Sequence, residues 1–283
     1  MMLINGVPAE QIAATDRGLH YGDGLFETIA VRHGQLLLWR RHWRRLVDGC
    51  VRLGLPVPDE NDMLAEARAV CAGRERAVVK IIVTRGAGDR GYRMPSVVAP
   101  NRVVLATAWP VHPASHATAG VVVRVCSMRL GRNRLLAGIK HLNRLEQVLA
   151  RAEWSDESVA EGLLLDDSDH VIEATAANVF FVHGTLLVTP SVVQCGIAGV
   201  IRELILERAA RLGFAVRVGA VTLADVWKAD EIFLTNSVIG VWPVRRVECG
   251  QIAYAKQSTE IARTVAADIR ACSEEEIEDS NSG

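Results

Sequence analysis

Three features of the sequence predict an α+β chain of two domains. Strand-like runs are short and follow one another, with helices interspersed rather than alternating as regular βαβ units. Residues 110–120 contain Pro110, Pro113 and a cluster of histidine and serine residues, which breaks the patterned sequence and reads as a linker. The chain has 283 residues, 49% of them apolar, enough for two cores of ordinary size. The expected divisions are a smaller α/β domain over 1–110, a linker over 111–119, a larger domain over 120–272 and an acidic tail over 273–283.

The elements follow in order. Asn5–Gly6 between Leu3–Ile4 and residues 9–12 is a strong hairpin turn. Residues 16–18 and 21–24 are tight-turn material. Strands are expected over 25–31 and 35–39, with His33–Gly34 as their turn. Helical periodicity runs over 40–53 until Gly54 and Pro56 end it, and a second helix covers 60–71. Strands over 78–83 and 103–108 flank a loop rich in glycine and arginine. Beyond the linker, strands are expected over 121–126, 161–165, 171–173, 178–182 and 186–189. A helix over 200–212, a strand over 214–218, a helical turn over 223–227, strands over 231–234 and 240–244 and a helix over 255–272 complete the pattern. The tail carries Glu274, Glu275, Glu276, Glu278 and Asp279, a composition expected to be solvated and partly disordered.

The balance of 32 basic and 33 acidic residues gives no reason to expect nucleic acid or a membrane surface as partner. The six cysteines form no close CxxC pair and no zinc spacing, so no metal is expected and reduced thiols are. The N-terminus lacks the pattern of a secretory signal, which makes the cytoplasm the default.

Dinucleotide, phosphate-loop, zinc-protease and nucleophile-elbow motifs are all missing. What remains is one lysine, one glutamate and two candidate anion sites. Lys140 stands between Gly138 and an apolar pattern of Leu142, Leu145, Val148 and Leu149, which predicts a helix with that face buried. A lysine held near such a helix start loses hydration, its pKa falls, and it becomes a nucleophile and a base. An exposed loop lysine would show the same local sequence. Glu173 precedes small residues that let a flat ring approach, where a carboxylate would keep a pyridine nitrogen protonated; an exposed strand-edge carboxylate is the plainer reading. Gly196 and Gly199 lead into a helix whose Val200 and Ile201 N–H groups would suit a phosphate, or simply form a loop-to-helix junction. Arg45 lies one turn beyond His42 among Arg40, Arg41 and Arg44; if buried it needs an anionic partner, such as a phosphate. The arginines of the 84–92 loop suit a carboxylate substrate or a charged surface.

Together these pieces resemble the fold-type IV (class IV aminotransferase) family of pyridoxal-phosphate enzymes. The resemblance spans nearly the whole chain and is carried by residues 21–28, 42–46, 85–92, 131–133, 138–146, 173–180 and 199–202. It implies a two-domain α+β fold of the D-amino acid/branched-chain aminotransferase type, with pyridoxal 5'-phosphate as cofactor in the larger domain. By resemblance, Lys140 is the Schiff-base lysine and catalytic base, and Glu173 pairs with the pyridine nitrogen. Arg45 meets the phosphate, as do the backbones of Val200 and Ile201 and the hydroxyl of Ser237. The family often has threonine where Ile201 stands, so one hydroxyl contact is absent. Leu145 stands where related aminotransferases often place a cofactor-contacting tyrosine. That departure, with the wording of residues 140–146, favours elimination: 4-amino-4-deoxychorismate to 4-aminobenzoate and pyruvate, a folate-pathway step. Transamination of D-amino or branched-chain amino acids is the alternative. Thr28, Arg90 and Arg93 are expected near the substrate, and a homodimer with active sites close to its interface is implied.

Overall fold

The computed structural model describes the backbone of residues 1–250, 252–255 and 260–281. Its contacts divide the chain into two compact units. Unit 1 comprises Met1–Pro110, Ile139–Asn143 and Ser273–Gly283, and unit 2 comprises Val111–Gly138 and Arg144–Cys272.

Unit 1 contains β1 (Met2–Ile4), β2 (Val7–Pro8), α1 (Arg17–Tyr21), β3 (Gly24–Arg32), β4 (Gln35–Leu36), α2 (Trp39–Leu53), α3 (Glu60–Cys71), β5 (Arg76–Thr84) and β6 (Asn101–Ala108). Its six strands are ordered β2-β1-β6-β5-β3-β4, and all of its pairings are antiparallel. Asn5 and Gly6 have φ of 53° and 83°, the left-handed pair that a tight hairpin turn requires. The returning strand stops at Pro8 instead of running over 9–12. Residues 17–21, which take in parts of both expected turns, form a short helix whose N-cap Asp16 accepts from the Gly18 N–H.

Strand alternation sorts β3. Leu25, Ile29 and Val31 enter the core with Leu46 and Cys50 of α2, while Phe26 and Thr28 take the opposite face. On α2 the buried residues His42, Leu46, Gly49 and Cys50 recur at helical spacing. Gly49 permits the close approach, since a Cβ there would come within 2.9 Å of Leu25.

Unit 2 contains α4 (Ser115–Thr118), β7 (Val121–Leu130), α5 (Leu145–Arg151), β8 (Val159–Asp166), β9 (Val171–Ala174), β10 (Asn178–His183), β11 (Leu186–Pro190), α6 (Val200–Arg208), β12 (Ala215–Gly219), α7 (Leu223–Lys228), β13 (Glu231–Asn236), β14 (Gly240–Cys249) and β15 (Ile252–Ala255). The helix α8 spans Glu260–Asn281, of which the part up to Cys272 is counted in unit 2. The strand order is β12-β11-β10-β13-β14-β7-β8-β9, with β15 also on β14. Val123, Leu163, Val179, Phe181, Ile232 and Leu234 are among its buried core.

One expectation needs correction, the buried helix after Lys140, and two other stretches hold helical backbone. The stretch read as a linker includes the turn of helix α4. The acidic run at 274–279 does not leave the helix: the α8 backbone continues to Asn281, because no glycine or proline interrupts it and glutamate is a good helix former. Ser282 and Gly283, the end of that expected tail, lie outside the described residues. The helix after Lys140 begins only at Leu145, and its buried residues are Gln147 and Ala150. Leu145, Val148 and Leu149 are 68%, 61% and 51% exposed, so the apolar stripe faces away from the chain's own core.

Candidate active site

In unit 1, Lys140 lies on an extended segment, not on a helix. The Phe26 N–H donates to the Lys140 carbonyl at 3.0 Å and the Leu142 N–H to the Gly24 carbonyl at 3.0 Å. His141 bridges Leu25, and Ile139 is buried in the unit 1 core. Anchored on both sides, the half-buried Lys140 puts its Nζ 4.3 Å from the centre of the Phe26 ring. Phe26 shares its strand face with Thr28, whose register partner on β5 is Lys80. The Lys80 Nζ lies 5.2 Å from the same ring.

The core-facing side of β3 carries one charge, Glu27, and that charge organises α2. Arg45 donates to it through Nε at 2.8 Å and Nη2 at 2.5 Å, while His42 Nδ1 lies 2.6 Å from Glu27 Oε2. Burial alone would raise the Glu27 carboxyl, but Arg45 and then His42 outweigh it and bring it down to about 2. Burial lowers the His42 pKa; Glu27 opposes this, and the charges of Arg45 and Lys140 add to it. The half-buried Arg45 therefore has Glu27 as an anionic partner. Sequence reading missed this role, although a glutamate at a core position between Leu25 and Ile29 was the available signal.

The glycine- and arginine-rich loop divides its arginines by task. Arg85 is buried, donating to Asp23 at 2.8 Å, Gly54 O at 2.9 Å and Leu53 O at 2.8 Å, so it is structural rather than a substrate clamp. Arg90 and Arg93 are exposed.

In unit 2, Glu173 is the next-to-last residue of β9 and is buried, and its Oε2 accepts from the Ile197 N–H at 2.8 Å. The Glu173 charge is also felt at Arg144 and Arg202, where it opposes the lowering that burial imposes on both guanidiniums. The 196–199 turn is fixed by Gly138 N–H to Gly196 O at 2.8 Å, Ala198 N–H to Gly138 O at 3.1 Å, and Asn178 Nδ2 to Ile197 O at 2.9 Å. Gly199 is required, since a Cβ there would fall 2.0 Å from Asn178 Oδ1. It caps α6 with no side-chain hydrogen bond, although Val200 and Ile201 are buried. The N–H groups of that first turn have no acceptor within the helix. A phosphate ester meets that need.

Ser237 follows β13 in a turn held by Asn236, whose Oδ1 accepts from the Val238 and Ile239 N–H groups at 2.9 Å. Asn236 Nδ2 also donates to the Ala176 carbonyl at 2.9 Å, tying that turn to the small residues after Glu173. Those residues are seated in turn by Glu161, which accepts from the Thr175 hydroxyl and from the Thr175 and Ala176 N–H groups. Arg132 pairs with Asp166 at 2.7 Å and Asp167 at 2.8 Å. Glu161 and Asn236 gave no sequence signal beyond their residue type. Within unit 2, a buried helix start with no side-chain cap suits a phosphate, and a buried carboxylate beside small residues suits a protonated ring nitrogen; within unit 1, a half-buried lysine over an aromatic ring suits an aldehyde.

The family model for amino-transferase class IV matches residues 24–247. The chain is 39% identical over 244 residues to the aminodeoxychorismate lyase of Vibrio harveyi, covering 86% of this chain and 90% of the relative. It is 32% identical over 257 residues to a putative branched-chain-amino-acid aminotransferase of Methanocaldococcus jannaschii, covering 89% and 88%. The crystal structure of 4-amino-4-deoxychorismate lyase from Pseudomonas aeruginosa superposes with a TM-score of 0.90 at 44% identity, covering 96% of this chain and 98% of that one.

Proposed function

We propose, since the chain belongs to the class IV amino-transferase family, that it is a pyridoxal-phosphate-dependent lyase converting 4-amino-4-deoxychorismate to 4-aminobenzoate and pyruvate. The observation that carries this reading is the near full-length likeness to two lyases of that activity. Lys140 would join the cofactor covalently, Glu173 would hold a proton on the pyridine nitrogen, and Arg45, the Val200 and Ile201 N–H groups and Ser237 would hold the phosphate. When bound, the cofactor supplies the electron sink for the carbon next to the substrate amine.

The chain's own work is placement and proton transfer. Lys140 Nζ takes the proton from C4 of the substrate. The electron pair left behind expels the enolpyruvyl oxygen from C3, and the ring becomes aromatic. The proton on Lys140 then goes to the departing enolpyruvate, which leaves as pyruvate. The Phe26 ring lies 4.3 Å from the Lys140 amine and steers it through a cation–π contact. Thr28, Arg90 and Arg93 are assigned to the substrate, the two guanidiniums to its carboxylates.

A homodimer is part of the same reading. It is supported by Leu145, Val148 and Leu149, an apolar helix face that the chain itself leaves exposed. No helix among the described residues is long and apolar enough to cross a membrane. The cytoplasm is assigned in keeping with six cysteines that are all free thiols.

Purified protein given 4-amino-4-deoxychorismate should release 4-aminobenzoate and pyruvate in equal amounts. A keto acid formed from D-alanine or a branched-chain amino acid, with no 4-aminobenzoate from the chorismate derivative, would favour an aminotransferase instead.

A further inference from the structure

We propose that Arg17 is a positioning residue for substrate binding: it clamps the loop that carries Arg90 and Arg93 and makes that loop a fixed wall. The role in substrate binding rests on the reading of those two arginines as substrate residues; the clamp itself does not.

Arg17 opens α1 and is only 4% exposed. Its Nε donates to Asp23 Oδ2 at 2.9 Å, and the same oxygen takes Arg85 Nε at 2.8 Å. Arg85 is itself bound to the Leu53 and Gly54 carbonyls at the end of α2, so Asp23 is anchored to the body of unit 1. Arg17 spends the rest of its fork on three consecutive main-chain carbonyls of the loop. Nη1 reaches Gly91 O at 3.0 Å and Arg93 O at 3.4 Å, and Nη2 reaches Tyr92 O at 3.4 Å.

Tyr21 adds a second tie. Its hydroxyl accepts from the Gly91 N–H at 3.2 Å, and its ring lies 4.8 Å from the Arg17 guanidinium and 5.4 Å from the Tyr92 ring. The incoming limb is fixed as well, by Arg17 N–H to Gly86 O at 2.8 Å and Gly88 N–H to Thr15 O at 3.2 Å.

A long surface loop is ordinarily mobile. This one has its carbonyls gathered on a buried planar cation, which a lysine ammonium cannot reproduce because it lacks the rigid fork of five donors. Fixing the backbone at 91–93 fixes where the Arg90 and Arg93 side chains begin. Charges placed before the substrate arrives do not have to be ordered when it binds.

Two variants test the clamp on the holoenzyme. Arg17→Lys keeps a cation and loses the fork. Gly88→Ala keeps Arg17 and crowds it, since a Cβ there would lie 2.9 Å from Arg17 Cδ. In both, trypsin should cut after Arg90 or Arg93 about tenfold faster than in the unaltered protein, as local opening becomes cheaper. KM for 4-amino-4-deoxychorismate should rise about tenfold, with kcat within about twofold and cofactor loading unchanged. Unaltered trypsin cleavage in both variants would overturn the clamp. Unaltered KM in both, while Arg90→Ala and Arg93→Ala raise it, would overturn its role in binding. If Arg90→Ala and Arg93→Ala are themselves silent, the assignment of the loop to substrate fails, and the trypsin result still decides the clamp.

Discussion

Glu27 holds Arg45 by both of its carboxylate oxygens, Oε1 from Nε at 2.8 Å and Oε2 from Nη2 at 2.5 Å. The guanidinium proposed for the cofactor phosphate is thus oriented before any ligand arrives, by a β3 residue on the side of the sheet that faces α2. Removing Arg45 takes from the buried Glu27 carboxylate the cation that stabilises it most. Arg45→Ala should lower unfolding stability by about 3–5 kcal/mol, read by urea denaturation. Arg45→Lys should fold better but bind pyridoxal 5'-phosphate less tightly, with a smaller loss for pyridoxal, which lacks the phosphate.

The same pair makes the protein acid-sensitive. The Glu27 pKa drops from 4.5 to about 2 in the folded state. A depressed carboxyl gives stability that is present above pH 4.5 and lost as pH falls toward 2. The linkage amounts to about 3 kcal/mol. His42, whose pKa is also lowered, acts in the same direction below its ordinary value of 6.5, because the unfolded chain takes up the proton more readily. Chemical denaturation at stepped pH should show this decline, and Glu27→Gln should flatten the part of it below pH 4.5.

Gly199→Ala probes the start of α6. A Cβ 2.0 Å from Asn178 Oδ1 must displace either that side chain or the turn carrying Val200 and Ile201. We expect a stability loss of about 1–3 kcal/mol together with weaker cofactor binding, followed by absorbance titration. Intact cofactor affinity in a folded variant would remove Val200 and Ile201 from the phosphate assignment.

Glu173→Gln keeps the size of the side chain and removes its charge. The amide should fold and load cofactor, with turnover reduced about a hundredfold. Normal turnover at saturating cofactor would sink the role of Glu173 at the ring nitrogen.

The exposed stripe of α5 gives a fifth measurement. Leu149→Asp puts a charge into the apolar face formed with Leu145 and Val148. Sedimentation equilibrium should show a dimer for the unaltered protein and a shift toward monomer for the variant. A monomer in both would contradict the dimer reading.

Local chemistry made much of this fold legible. Asn5–Gly6 announced its turn, Gly54 and Pro56 ended α2, and Gly196 and Gly199 marked the entry to α6. What escaped depends on contacts between distant residues. Arg17 reaches across to 91–93, and Glu161 bonds to 175–176. Neither pairing leaves a periodic trace. The apolar pattern after Lys140 was read with the right period but the wrong destination. Periodicity reports that a face is apolar, and Leu145, Val148 and Leu149 turn that face outward.

The central claim is that the amine of Lys140 carries the cofactor. Borohydride reduction of the holoenzyme, followed by peptide mass spectrometry, tests it directly. The account predicts one phosphopyridoxyl group, on Lys140, and a Lys140→Ala protein that neither takes the label nor turns over substrate. A label on Lys80, its neighbour across the Phe26 ring, or a Lys140→Ala protein that keeps its turnover, would contradict it.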